Sequence, residues 1–96
     1  MTRSEILEIL KNYKNENAKK YGINAIGLFG SFSKDKGGEK SDVDIIIEIS
    51  EPDIFKLVHI KDDLEKLLHR KVDIVRKREK MNAYLKEHIK RDAIYV

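Results

Sequence analysis

Apolar positions along the chain follow two periods, and the changes of period divide it into elements. Ile6, Ile9, Leu10 and Tyr13 recur at helical spacing. They predict a first helix from Thr2 to roughly Lys20, with Thr2 and Glu5 set as a capping box and Gly22 as the terminator. Ile23 to Phe29 reads as a strand whose small residues, Ala25 and Gly27, allow a neighbour to pack closely. Asp42 to Ile49 reads as a second strand. Its unbroken run Ile45-Ile46-Ile47 suits a strand covered on both faces. Glu51-Pro52-Asp53 marks a turn and a helix start, with Asp53 as the cap. Helical spacing returns over Ile54 to His69, where Leu57, Ile60, Leu64, Leu67 and Leu68 form the stripe expected to be buried. Lys71 to Arg76 predicts a third strand. Met81 to Arg91 predicts a last helix with Met81, Leu85, His88 and Ile89 on one face. Ala93 to Val96 is left for a short final strand or a tail.

That order implies an α/β (α+β) fold: a small mixed sheet with helices mainly on one face. The first two strands are close enough in sequence to pair antiparallel, and the second helix crosses over to the third strand. A length of 96 residues suits one domain, 1–96, with a single modest core. The chain has no 18-residue apolar run and no signal-peptide pattern, so a soluble, cytoplasmic protein without membrane association is expected. It has no cysteine, which excludes disulfides and thiolate chemistry. Between positions 70 and 96 nine Lys/Arg face four Asp/Glu, so the basic charge is concentrated there. Such a third suits nucleic acid, an acidic protein partner or nucleotide phosphates, and equally a solvated helical face.

The chemistry gathers between Ile26 and Glu48. Gly30-Ser31 closes the first strand, and after ten intervening residues Asp42-Val43-Asp44 opens the second. Alternation along a strand turns Asp42 and Asp44 to one side. Two like charges ~4 Å apart repel by about 4 kcal/mol at an effective dielectric near 20. A cation, a basic side chain, a shared proton or water must offset this. Hard oxygen ligands of this kind suit Mg²⁺, which completes its shell with phosphates and water. Gly30 lets backbone approach a ligand, and a helix starting at Ser31 would offer free N–H groups to an anion. The plainer account makes Asp42 a turn cap and Asp44 a solvated strand residue. An EF-hand is excluded because Ile47 stands where the loop needs glycine, and a P-loop is excluded because no Gly-Lys-Ser/Thr occurs. Lys34, Lys36 and Lys40 surround the proposed phosphate site, or simply solvate the loop. Asp73 interrupts the apolar third strand and needs a reason: a salt bridge with Arg70 or Arg76, or a place in the site. His59 has no histidine or cysteine partner at metal-ligand spacing, and His69 sits where a cation favours a helix C-terminus.

Leu28-Phe29-Gly30-Ser31 followed by Ser41-Asp42-Val43-Asp44-Ile45 resembles the signature of the nucleotidyltransferase superfamily, whose best-known member is DNA polymerase beta. The small size resembles its minimal branch, the MNT or MntA-like antitoxins. The resemblance implies that Asp42, Asp44 and Asp73 are catalytic and hold two Mg²⁺ ions, and that Gly30 and Ser31, with Lys34, bind the phosphates of ATP. It implies transfer of AMP to a hydroxyl, a tyrosine of a HEPN-type RNase toxin that is both partner and substrate. The chain departs from the family's Gly-Ser-x-Ala-Arg-Gly at Ser33, Lys34 and Asp35. Lys34 keeps the charge without the bidentate fork, and Asp35 puts the turn geometry in question. The alternatives are a non-catalytic antitoxin acting by stoichiometric contact, or a nucleotidyltransferase acting on a small alcohol or RNA.

Overall fold

The computed structural model describes residues 1–38 and 40–96. Seven elements follow one another: α1 (Arg3–Tyr21), β1 (Ile23–Phe29), β2 (Val43–Ile49), α2 (Ile54–Leu68), β3 (Val72–Arg76), α3 (Ala83–Asp92) and β4 (Ile94–Tyr95). The strands form one sheet in the order β3-β2-β1-β4. β1 runs antiparallel to β2 and β4, while β2 and β3 run parallel. This is the mixed sheet expected from the element order, and the final segment joins it as a strand.

Local chemistry sets most boundaries. The Thr2 hydroxyl accepts from the Glu5 N–H at 3.2 Å, and Glu5 Oε1 accepts from the Thr2 N–H at 3.0 Å. This capping box starts α1, and Gly22 ends it in the left-handed region at φ 66°. Asp53 caps α2 by accepting from the Phe55 N–H at 2.8 Å. α3 begins later than the apolar pattern suggested. The Asn82 carboxamide oxygen accepts from the N–H groups of Tyr84 and Leu85, so the helix starts at Ala83 and Met81 lies outside it.

The core lies between one face of the sheet and the first two helices. Ile6, Leu10 and Tyr13 from α1 and Ile60, Leu64 and Leu68 from α2 meet Ile26, Leu28, Val43, Ile45, Ile47 and Val72. Leu57 is only partly buried, and Leu67 is 48% exposed, so the buried stripe of α2 is narrower than expected. Tyr13 fixes the two helices by donating to Asp63 Oδ2 at 2.7 Å. Burial first, and then this acceptor, push the phenol well above its ordinary range. Gly27 is small because a Cβ there would stand 2.9 Å from the Ile94 carbonyl of β4. No helix among the described residues is long and apolar enough to cross a membrane.

Candidate active site

The register of β2 against β3 builds the centre of the site. Asp44 and Asp73 are direct partners across the parallel ladder. Their neighbours Val43, Ile45 and Val72 point into the α1/α2 core. Alternation therefore turns both carboxylates to the opposite face of the sheet. Asp42 immediately precedes β2 and is exposed. It shares Asp44's parity, although it opens onto a separate concavity with Lys40, His69, Arg70 and Lys71. Burial, then the charge of Asp73, then that of Asp42 raise the Asp44 carboxyl above its ordinary value. The salt bridge considered for Asp73 does not form: among the described residues it has no ion-pair partner within 4.0 Å.

Gly30 sets the phosphate turn against these carboxylates. Its φ is 75°, a left-handed value that favours glycine. A Cβ at this position would fall on the Asp44 carboxylate, so the backbone can approach that side chain only because the residue is glycine. After Gly30 the chain makes a hydrogen-bonded turn over residues 31–35 rather than a helix. The Lys34 N–H donates to the Ser31 carbonyl at 3.2 Å, the Asp35 N–H to Phe32 at 3.2 Å, and the Lys36 N–H to Ser31 at 2.8 Å. The N–H groups of Ser31, Phe32 and Ser33 enter none of these bonds. Asp35, the residue that departs from the Gly-Ser-x-Ala-Arg-Gly pattern, adopts φ 59°, the left-handed backbone that glycine takes most easily and aspartate tolerates. The departure at Asp35 thus leaves the turn in place.

The turn is held from several directions. Ser33 is buried and its hydroxyl donates to the Gly30 carbonyl at 2.7 Å. Arg3 reaches from the start of α1 to the Ser33 carbonyl at 3.0 Å. Lys34 Nζ stands 3.3 Å from Asp92 Oδ2 at the end of α3. Asp92 also accepts from Arg91 at 3.3 Å, and that bond, ahead of Lys34, holds its carboxyl below the ordinary value. Arg91 donates to His88 Nδ1 at 3.0 Å. The same nitrogen lies 3.6 Å from Asp92 Oδ2.

Two concavities flank Phe29 and Leu85. One, of about 490 Å³, joins Gly30, Ser31, Lys34 and Lys36 to Tyr84, His88 and Asp92. The other, of about 560 Å³, joins Asp44 and Asp73 to Leu57, Val58 and Lys61. Both volumes are in the range of nucleotide-sized sites. Of the three loop lysines, Lys34 and Lys36 reach the turn, and Lys40 sits with Asp42 instead. Tyr84, His88 and Asp92 were not legible as site residues. Tyr84 and His88 pack edge to face at 4.5 Å, on the side of α3 away from Ile89.

The donor set fits a hard divalent cation. Asp44 and Asp73 offer adjacent carboxylate oxygens whose mutual repulsion a cation would relieve. As they stand, no three His, Cys, Asp or Glu side chains among the described residues are gathered closely enough to enclose a metal.

Comparisons with known proteins agree with the geometry. The sequence profile described as polymerase beta, nucleotidyltransferase, matches residues 4–96. A Methanocaldococcus jannaschii protein, named as a candidate protein adenylyltransferase, is 41% identical over 96 residues, covering 99% of this chain and 98% of its own. The protein adenylyltransferase MntA of Thermococcus cleftensis is 34% identical over 97 residues, covering 100% and 97%. A solved structure described as a candidate minimal nucleotidyltransferase superposes with a TM-score of 0.79 at 28% identity, covering 98% and 95%. An MNT antitoxin solved in complex with a tri-AMPylated Shewanella oneidensis HEPN toxin shares the fold, with a TM-score of 0.71 at 19% identity, covering 98% and 71%.

Proposed function

The chain belongs to the polymerase beta family of nucleotidyltransferases, as one of its minimal members, and we propose that it transfers AMP from ATP to a tyrosine hydroxyl of a HEPN-type toxin. The observation that carries this reading is the contact of the Gly30 turn with Asp44, itself paired in register with Asp73. A phosphate-holding backbone and two carboxylates then meet at one point, which is what transfer at an α-phosphate requires. The protein-adenylyltransferase names of its relatives support a protein acceptor. The AMP-bearing HEPN toxin beside a structural neighbour supports the kind of partner.

In this mechanism Gly30 and Ser31, with Lys34 and Lys36, bind the β- and γ-phosphates in the first concavity. The α-phosphate then lies over Asp44. Displacement in line places the acceptor opposite the leaving pyrophosphate, over Asp73 and beside Leu57, Val58 and Lys61. The acceptor oxygen forms a bond to the α-phosphorus, the bond to the bridging β-phosphate oxygen breaks, and pyrophosphate leaves toward the Gly30 turn. Asp73 takes the hydroxyl proton, a role open to it because it has no ion-pair partner among the described residues. Asp42, Asp44 and Asp73 would hold two Mg²⁺ ions, which supply charge neutralisation at the triphosphate and at the attacking oxygen.

Intact-mass spectrometry tests the proposal. The protein encoded by the adjacent gene is incubated with this protein, ATP and Mg²⁺. An added AMP mass that disappears with Asp42→Asn supports the reading. A complex that forms without any added mass would overturn it in favour of a stoichiometric antitoxin.

A further inference from the structure

Lys34 stands in the family's arginine position but lacks the planar fork that fixes such a cation. Its stem has several rotatable bonds, and ordering it at the moment of binding would weaken its grip on a phosphate. The structure supplies the missing constraint from α3. Asp92 Oδ2 meets Lys34 Nζ at 3.3 Å, and the Asp92 side chain is only 14% exposed against 42% for Lys34. Asp92 is held in turn by Arg91 from the neighbouring position. The same concavity contains Gly30, Ser31, Lys34 and Asp92.

We infer that Asp92 is a positioning residue for the nucleotide: it fixes Lys34 against the Gly30 turn, so that α3 helps to preorganise the triphosphate site. An ammonium has three donors, so Lys34 can keep Asp92 while it meets a phosphate oxygen. Arg91 offsets the carboxylate's charge, which limits its repulsion of the incoming triphosphate. The inference rests on the nucleotide reading of the Gly30 turn. It adds a residue near the end of α3, 61 positions beyond Ser31, that no motif in the turn announces.

Calorimetric titration with AMP-PNP and Mg²⁺ tests it, alongside the transfer assay. Asp92→Asn and Lys34→Ala should each weaken AMP-PNP binding roughly tenfold, and Asp92→Asn, which touches no phosphate, should raise KM for ATP far more than it lowers kcat. The double variant should bind no more weakly than either single one, because the two residues act as one unit. Asp92→Glu should restore most of the affinity. The exchange of Lys34→Asp with Asp92→Lys should bind better than Lys34→Asp alone, which guards against a mere loss of folding. Unchanged affinity in Asp92→Asn, or losses that multiply in the double variant, would overturn the inference while leaving the nucleotide site intact. Failure of the unaltered protein to bind AMP-PNP would instead remove the underlying reading.

Discussion

Asp44→Asn should make the protein more stable and inactive at once. Asp44 sits in register with Asp73 on the neighbouring strand and is partly buried. Adjacent strands lie ~4.8 Å apart. Two carboxylates at about 5 Å across an effective dielectric of 20 repel by about 3 kcal/mol. Asp73 is exposed and Asp44 only half covered, so water and salt reduce the net effect to about 1 kcal/mol. In a chain of 96 residues that corresponds to a rise in Tm of roughly 4–8 °C. Thermal unfolding in EDTA near pH 7 is the assay. The sign with pH follows from the raised Asp44 carboxyl: the folded state holds this proton more tightly than the unfolded chain. The penalty in the unaltered protein is thus absent below the ordinary carboxylate range and complete above the raised value. The Asn variant's advantage should therefore fade on acidification. Added Mg²⁺ should raise the Tm of the unaltered protein and narrow the gap. An Asn variant no more stable than its parent in EDTA would refute the repulsion on which the metal assignment rests.

Gly30→Ala should abolish transfer and cost about 1–2 kcal/mol, since it adds left-handed strain and pushes the Asp44 carboxylate from its place; activity together with a denaturation curve reads both. Ser31→Ala should be milder, a loss of roughly tenfold to a hundredfold in kcat/KM, as one hydrogen bond to a charged group is worth ~1.5–3 kcal/mol. Tyr13→Phe should remove a similar ~1.5–3 kcal/mol of stability near neutrality, by loss of the bond to Asp63. The Tyr13 phenol is raised in the fold, so its contribution is complete below the ordinary value of 10.0 and declines as pH rises past it. The gap between parent and variant should therefore close in alkali, and a gap that stays constant would contradict the assignment.

Much of this arrangement was legible because it depends on near neighbours in sequence. Thr2 with Glu5, and Asp53 with Phe55, are local caps, and their residue types announce them. Asp42-Val43-Asp44 and the lone Asp73 declared themselves as charges in strands that should be apolar. What escaped depends on pairings between distant segments. Asn82 displaced the start of α3 through two backbone bonds where the apolar pattern suggested an earlier start. Leu67 fits the helical period but is largely exposed, because the line of Ile60, Leu64 and Leu68 faces the core and Leu67 stands one position round the helix from it. The support of the phosphate turn by Arg3 and Asp92 spans most of the chain, and neither residue stands out in a pattern. Asp35 looked like a broken glycine position, yet aspartate tolerates left-handed backbone well enough to fill it.

α3 closes one side of the site, yet Ile89 is its only buried residue. α1 and α2 each bury three. An element so lightly anchored opens at a free energy below that of the whole fold, and its amides should exchange with solvent before those of the sheet do. β4 follows at once and is stitched to β1 at Gly27 and Leu28, so the far end of α3 stays tethered when the near end lifts. The near end of α3, where Tyr84 and Leu85 line the concavity beside Gly30, is therefore the wall of the site expected to loosen first, while β2 and β3 keep Asp44 and Asp73 in register.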